Sequence, residues 1–119
     1  MIRWRSMPEP PFDEYVKKFA KTKRLAWSII DGARQSYKEK KRMAFELTDK
    51  LPNLVSVYLD DFFNGDAVPK KEEAPANLTV AGIRTLKEEL DARKRRLDLS
   101  LVLYSNQLHP TIAGHIQYC

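Results

Sequence analysis

The sequence predicts an α/β fold in which parallel strands alternate with helices. Short apolar runs of strand length alternate along the chain with longer amphipathic stretches, and this alternation is typical of strand-helix-strand units. The apolar runs are nearly continuous, as expected for parallel strands buried on both faces. With 119 residues, of which 43% are hydrophobic, the chain has room for one domain at most. We expect a single α/β unit over residues 1–119.

Three strands are predicted from compact runs of aliphatic, β-branched and aromatic residues. They are "RLAWSII" (24–30), "LVSVYLD" (54–60) and "LSLVLYS" (99–105). The first run ends at an Asp-Gly pair and the second follows a Pro-Asn pair, both of which favour turns. The runs are therefore bounded as strands of an α/β protein should be.

Helical spacing of apolar residues predicts four further elements. They begin at residue 10, cover residues 36–50, cover residues 79–96, and begin at Pro110. The last helix is expected to be capped by His109 or Asn106. Between the second strand and the third helix, residues 61–78 form a long polar loop, well beyond the usual length of about 2–6 residues.

Ligands of parallel α/β proteins bind at the carboxyl ends of the strands. That rule places "SIIDG", "LDDFFNG" and "YSNQLH" side by side along one rim. Because successive side chains of a strand point to opposite faces, Asp60 shares the face of Ser56 and Tyr58. We expect Asp60 to point into an interior that opens at the rim. Asp61 should begin the loop and contact backbone amides near residues 64 and 65.

The adjacent acids allow two readings other than a sugar site. "YLDD" is similar to the Tyr-x-Asp-Asp motif of reverse transcriptases, whose acids hold two metal ions. That motif lies on an antiparallel hairpin, whereas the surrounding pattern here is parallel. An Asp after an apolar strand is also similar to haloacid-dehalogenase-like phosphatases and response regulators. Those need an Asp-x-Asp motif or an acid pair after the first strand, and only Asp31 stands there. Both readings lack their structural context.

Four segments resemble a family of uncharacterised bacterial proteins with a glycosidase-like (β/α)8 barrel. They are "RLAWSII", "LPNLVSVYLDDFF", the helix leading into "LDLSLVLYSNQL", and "HIQYC". The Asp-Asp-Phe-Phe stretch at residues 60–63 is the most specific part. The resemblance implies that the chain is the central segment of a barrel, with strands before Pro11 and after Cys119. It also implies a glycoside hydrolase-like activity that uses strand-end carboxylates.

Asp60 and Asp61 are the candidate catalytic acids of such a site. Glycoside hydrolysis needs two carboxyl groups roughly 5–9.5 Å apart across the sugar ring. Neighbours in an extended chain point apart, so a partner for Asp60 is expected from another strand end. The alternative for Asp61 is that it caps the loop. The candidate substrate-binding residues are Ser28, Phe62, Phe63, Tyr104 and Asn106. The aromatic rings of this set would stack on a sugar; the alternative is that the two phenylalanines pack beneath the loop.

Charge argues against specific nucleic-acid binding. The net charge is +5, but 16 acidic residues are interspersed with 21 basic ones. The one tight cluster, "ARKRR" (92–96), falls in the last turn of a predicted helix, where cations meet the negative end of the helix dipole. The expected ligand is a carbohydrate or another small polar molecule. A non-catalytic domain that binds a sugar or another ligand is the alternative to an enzyme.

Composition excludes further classes of site. Cys119 is the only cysteine, so neither an internal disulfide nor a cysteine metal cluster can form. His109 and His115 have no ligand partners at metal spacing, and we expect no metal or other cofactor. No signal peptide and no apolar run of about 20 residues is present, which predicts no membrane association and favours the cytoplasm. Open edges of a three-stranded sheet predict self-association.

Overall fold

The computed structural model describes residues 11–30, 37–63 and 78–119. The elements follow in the order α1 (Asp13–Lys17), β1 (Leu25–Ile30), α2 (Tyr37–Lys50), β2 (Leu54–Leu59), α3 (Val80–Asp91), β3 (Asp98–Leu101) and α4 (Ala113–Ile116). Two 3-10 turns, Ser105–Gln107 and Pro110–Ile112, lie between β3 and α4. The fold is therefore α/β with helices alternating with strands, as predicted. Most of the predicted long loop falls outside the described residues.

The three strands form one parallel sheet in the order β1-β2-β3. Trp27 is aligned with Val57, and Val57 with Leu99, so these apolar side chains lie side by side. On the other face the Oγ atoms of Ser56 and Ser100 are 3.4 Å apart. Successive side chains of β2 and β3 therefore point to opposite faces of the sheet, in agreement with the alternation on which the placement of Ser56 rests.

Helix α3 shows why these sequences become helices. Thr79 is its N-cap, and the Thr79 hydroxyl accepts a hydrogen bond from the backbone N–H of Gly82 at 3.1 Å. Ile83, Leu86 and Leu90 are all buried at the spacing of one helical face. Burying each of these side chains stabilises the fold by about 1.5–3 kcal/mol. Helix α3 packs against β3 and α4, and α2 packs against β1 and β2.

The basic cluster after α3 caps the end of another helix. Helix α3 ends at Asp91, so residues 92–96 follow the helix, which corrects their predicted placement in its last turn. The Arg95 guanidinium donates to the carbonyls of Thr48 at 2.8 Å and Leu51 at 2.9 Å, and also to Pro52. These carbonyls lie at the carboxyl end of α2, where backbone acceptors lack helical partners.

Arg93 reinforces the same junction. It donates to the carbonyl of Phe45 at 3.0 Å and to the Thr48 hydroxyl at 2.7 Å. Its guanidinium carbon lies 4.4 Å from the centroid of the Phe45 ring, within cation-π range. Two arginines of the cluster therefore serve the contact between α2 and the segment that leads into β3.

Strand β3 is shorter than the predicted run over residues 99–105. It ends at Leu101, and after three further residues the chain enters the 3-10 turn Ser105–Gln107. The backbone N–H of Gln107 donates to the carbonyl of Tyr104 at 2.9 Å. Asn106 is exposed within this turn, so it does not continue the strand face as it would in an extended chain.

The last helical segment of the chain begins at Pro110, as predicted. Pro110 opens a 3-10 turn that leads directly into α4. The Nδ1 atom of His109 accepts from the backbone N–H of Thr111 at 3.3 Å, which confirms His109 as the cap. Across the described ranges, no helix combines the length and the apolar character needed to cross a membrane.

Candidate functional site

The carboxyl ends of the three strands are joined by backbone hydrogen bonds. The N–H of Asp60, directly after β2, donates to the carbonyl of Ile30 at the end of β1, at 2.7 Å. The N–H of Val102, directly after β3, donates to the carbonyl of Leu59 at 2.9 Å. Asp60 and Asp61 therefore follow β2, the central strand of the sheet, and lie between the carboxyl ends of β1 and β3.

Asp61 and Tyr104 form the polar contact across this rim. The Tyr104 hydroxyl donates to Oδ1 of Asp61 at 2.8 Å. Asp61 has a φ angle of 50°, in the left-handed region that Asp and Asn adopt more readily than most residues. This angle breaks the alternation of the strand, so parity along β2 does not govern where Asp61 projects.

The contact differs from the one expected for Asp61. Sequence parity predicted contacts with backbone amides near residues 64 and 65, which lie outside the described residues. The described contact of its side chain joins Asp61 to Tyr104. Asp61 is half-buried, whereas Asp60 is only 5% exposed. Of the two acids, Asp61 is therefore the one accessible at the rim.

Phe62 and Phe63 pack inward beneath the acids. Their ring centroids are 4.9 Å apart, and the His115 ring lies edge-on to both, at 5.8 and 5.6 Å. Phe62 is fully buried and Phe63 is 4% exposed. This burial favours the packing alternative over a role in stacking on a sugar. Tyr104, at 46% exposure, is the aromatic side chain that this part of the rim offers to solvent.

His115 completes the aromatic cluster. It is 2% exposed, and its Nδ1 atom is buried without a hydrogen-bond partner among the described residues. Burial lowers the pKa of the imidazole, and a hydrogen bond with the Leu78 backbone opposes that shift. The imidazole ring thus packs against the two phenylalanines. Within the described ranges, no three His, Cys, Asp or Glu side chains could together hold a metal ion.

Ser28 and Asn106 stand apart from the polar pair. Ser28 is buried, and its hydroxyl donates to the Ile30 carbonyl at 2.7 Å, the same carbonyl that accepts from the Asp60 amide. Ser28 therefore stabilises the end of β1. Asn106 is exposed on the 3-10 turn. The structure joins Asp61 and Tyr104 directly, and Asp60 immediately precedes Asp61 in the chain.

Gln107 is a buried residue of this region that the sequence interpretation did not single out. It is 4% exposed, although it lies only three positions after the exposed Tyr104. Its Oε1 accepts from the Tyr104 amide at 3.1 Å, and its Nε2 donates to the Phe63 carbonyl at 3.4 Å. The available signal was a Gln three residues after Tyr104, the spacing at which Gln or Glu completes a capping box.

Comparison with known proteins identifies no relative. No protein-family model matches the sequence. No curated protein and no solved structure matches it significantly.

Proposed function

We propose that the carboxyl edge of this sheet is a carbohydrate-binding site in which Asp61 and Tyr104 contact the sugar. The observation that carries the proposal is the hydrogen bond between these two side chains. It brings a carboxylate and a half-exposed aromatic ring together at the edge where parallel sheets bind ligands. A carboxylate accepts hydrogen bonds from sugar hydroxyls, and an aromatic ring covers the apolar face of a pyranose.

The fold that we propose around this site is a partial (β/α)8 barrel. The repeating unit of such a barrel is a strand followed by a helix. Three parallel strands in sequential order, each separated from the next by a helix, match consecutive units of this kind. The resemblance of residues 60–63 to a glycosidase-like family gives the same expectation. In a barrel of this kind, acids that follow the strands line the mouth.

The activity that we propose for the site is glycoside hydrolysis. It needs one carboxyl group on each side of the scissile bond. Asp61, which is accessible and oriented by Tyr104, would be one of them. Its partner would be Asp60 or an acid from another strand end. The burial of Asp60, at 5% exposure, favours a second candidate function, in which the site binds a sugar without cleaving it.

Binding is tested first. Wild-type protein is titrated with neutral and acidic oligosaccharides by calorimetry, alongside Asp61→Asn and Tyr104→Ala. We expect one class of oligosaccharide to bind and each variant to weaken binding by at least about tenfold, since each removes a contact worth about 1.4 kcal/mol or more. Asp98→Asn is the matched control, because Asp98 is exposed at the opposite end of β3. Equal binding by all three variants and the wild type would place the site elsewhere.

Hydrolysis is tested separately with aryl glycosides. Asp60→Asn and Asp61→Asn each keep the shape of the side chain but cannot act as acid, base or nucleophile. If the site is catalytic, we expect turnover in the wild type and a loss of about 10²-fold or more in at least one variant. Binding without turnover in the wild type would support the sugar-binding function and contradict the hydrolytic one.

A further inference from the structure

The side-chain amide of Gln107 connects the two chain segments that carry Asp61 and Tyr104. Its Oε1 accepts from the backbone N–H of Tyr104 at 3.1 Å. Its Nε2 donates to the backbone carbonyl of Phe63, two residues after Asp61, at 3.4 Å. The buried Gln107 side chain thus contacts the backbone of both segments, at Tyr104 and at Phe63.

We propose that Gln107 is the positioning residue of the site, and that its amide holds the Tyr104 hydroxyl against Asp61. This inference rests on the carbohydrate site proposed above, and it deepens that proposal by assigning a residue that fixes the geometry. Tyr104 starts the turn that Gln107 closes, through the Gln107 backbone N–H at 2.9 Å. Gln107 therefore holds the Tyr104 backbone at both polar groups, the carbonyl through its own backbone N–H and the N–H through its side-chain amide.

The chemistry of the position calls for glutamine. The Tyr104 N–H needs a hydrogen-bond acceptor, and the Phe63 carbonyl needs a donor. A side-chain amide supplies both. Glutamate would place a second oxygen against the Phe63 carbonyl. Methionine has a similar length but would leave the part-buried Tyr104 N–H and the buried Phe63 carbonyl without this partner, at a cost of up to about 1–3 kcal/mol each.

The test uses the full chain with tyrosine labelled by carbon-13 at the ring carbon that bears the hydroxyl. Tyr104→Phe assigns the Tyr104 resonance, and Asp61→Asn shows how far it moves when the carboxylate acceptor is lost. We expect Gln107→Met and Gln107→Glu to move the Tyr104 resonance in the direction of the Asp61→Asn shift. A purely structural role for Gln107 would lower stability while leaving this resonance in place.

Gln117→Met is the matched control. Gln117 is exposed, lies ten positions further along, and donates to the Gly114 carbonyl within its own helical turn at 2.9 Å. It should leave the Tyr104 resonance unchanged. An unmoved Tyr104 resonance in folded Gln107→Met and Gln107→Glu would overturn the proposal.

A measurement on the wild type covers the case in which both variants fail to fold. Amide hydrogen exchange should be slower at Tyr104, whose N–H is bonded to Gln107, than at Ser105 in the same turn. Equal exchange at the two amides would overturn the positioning role. If exchange and resonance both behave as expected but no oligosaccharide binds, the positioning role stands and the carbohydrate function fails.

Discussion

The hydroxyl of Tyr104 and the carboxylate of Asp61 meet at 2.8 Å, although the two residues are 43 positions apart in the chain. Their contact joins the turn after β2 to the turn after β3 on the rim of the sheet. It pairs the exposed aromatic ring of Tyr104 with the accessible acid of the Asp-Asp-Phe-Phe stretch. The proposed function depends on this pair.

The strength of the pair can be measured by a double-mutant cycle. Tyr104→Phe removes the donor, and Asp61→Asn removes the charged acceptor in a residue that tolerates the same backbone angle. We expect a coupling energy of about 0.5–1.5 kcal/mol in urea unfolding, since this is a hydrogen bond at a partly exposed site. Replacing Tyr104→Phe with Tyr118→Phe in the cycle should give a coupling near zero. A zero coupling in the Tyr104 cycle would mean that the bond contributes nothing in solution.

Backbone conformation at Asp61 gives an independent prediction. Its φ angle of 50° suits glycine and is unfavourable for a β-branched residue. Asp61→Gly and Asp61→Val both lose the carboxylate, so the loss of the Tyr104 contact cancels in the difference between their free energies of unfolding. We expect Asp61→Val to be less stable than Asp61→Gly by about 1–3 kcal/mol. Equal stability of the two variants would show that the left-handed turn is not maintained.

Arg95 should matter more for stability than its basic neighbours. It donates to three carbonyls at the end of α2, whereas Arg96 is exposed and paired with Asp91 at 3.2 Å. We expect Arg95→Met to lower the free energy of unfolding by about 1.5–3 kcal/mol. Arg96→Met should change it by less than about 1 kcal/mol. Arg95→Lys should not restore the loss, because an ammonium cannot reproduce the planar fork. Similar losses for Arg95→Met and Arg96→Met would argue against the cap.

Stability should fall in mild acid because of His115. Burial lowers the pKa of this imidazole, so the folded protein binds the proton less tightly than the unfolded chain, where a histidine titrates near about 6.5. The stabilisation is complete above that pH. It declines as the pH falls below it, and the decline levels off once the folded pKa is passed.

The check is the free energy of unfolding between about pH 5 and 8, the range in which histidine changes charge. The wild type should lose stability towards the acidic end. His115→Phe, which keeps an aromatic ring and cannot titrate, should show a shallower dependence. An unchanged slope in His115→Phe would show that another group is responsible.

The sequence was sufficient for the fold class and the rim, because both depend on periodicity. Apolar runs and amphipathic stretches alternate clearly, and the contact between Ser56 and Ser100 agrees with alternation along the strands. Alternation does not describe Asp61, because its left-handed backbone angle is not encoded by parity. It also does not describe the end of the third predicted strand, because β3 ends at Leu101 and a 3-10 turn begins at Ser105.

The roles of Gln107 and Arg95 could not be predicted from the sequence for a different reason. Each acts on backbone groups far away in the chain: Phe63 for Gln107, and the end of α2 for Arg95. Such contacts depend on how two distant segments pack in the folded chain. No local pattern of charge or hydrophobicity predicts that packing. Local signals were sufficient where the partner is near, as for the His109 cap and Thr111.

The most direct test of the carbohydrate site is a nuclear magnetic resonance titration of the wild type with the oligosaccharide that binds best in calorimetry. Backbone amide shifts are followed residue by residue across both edges of the sheet. We predict that the largest changes fall at residues 60–63 and 104–107, while Arg24 and Asp98 at the amino edge stay constant. Changes centred on the amino edge, or no changes with any oligosaccharide, would contradict the account.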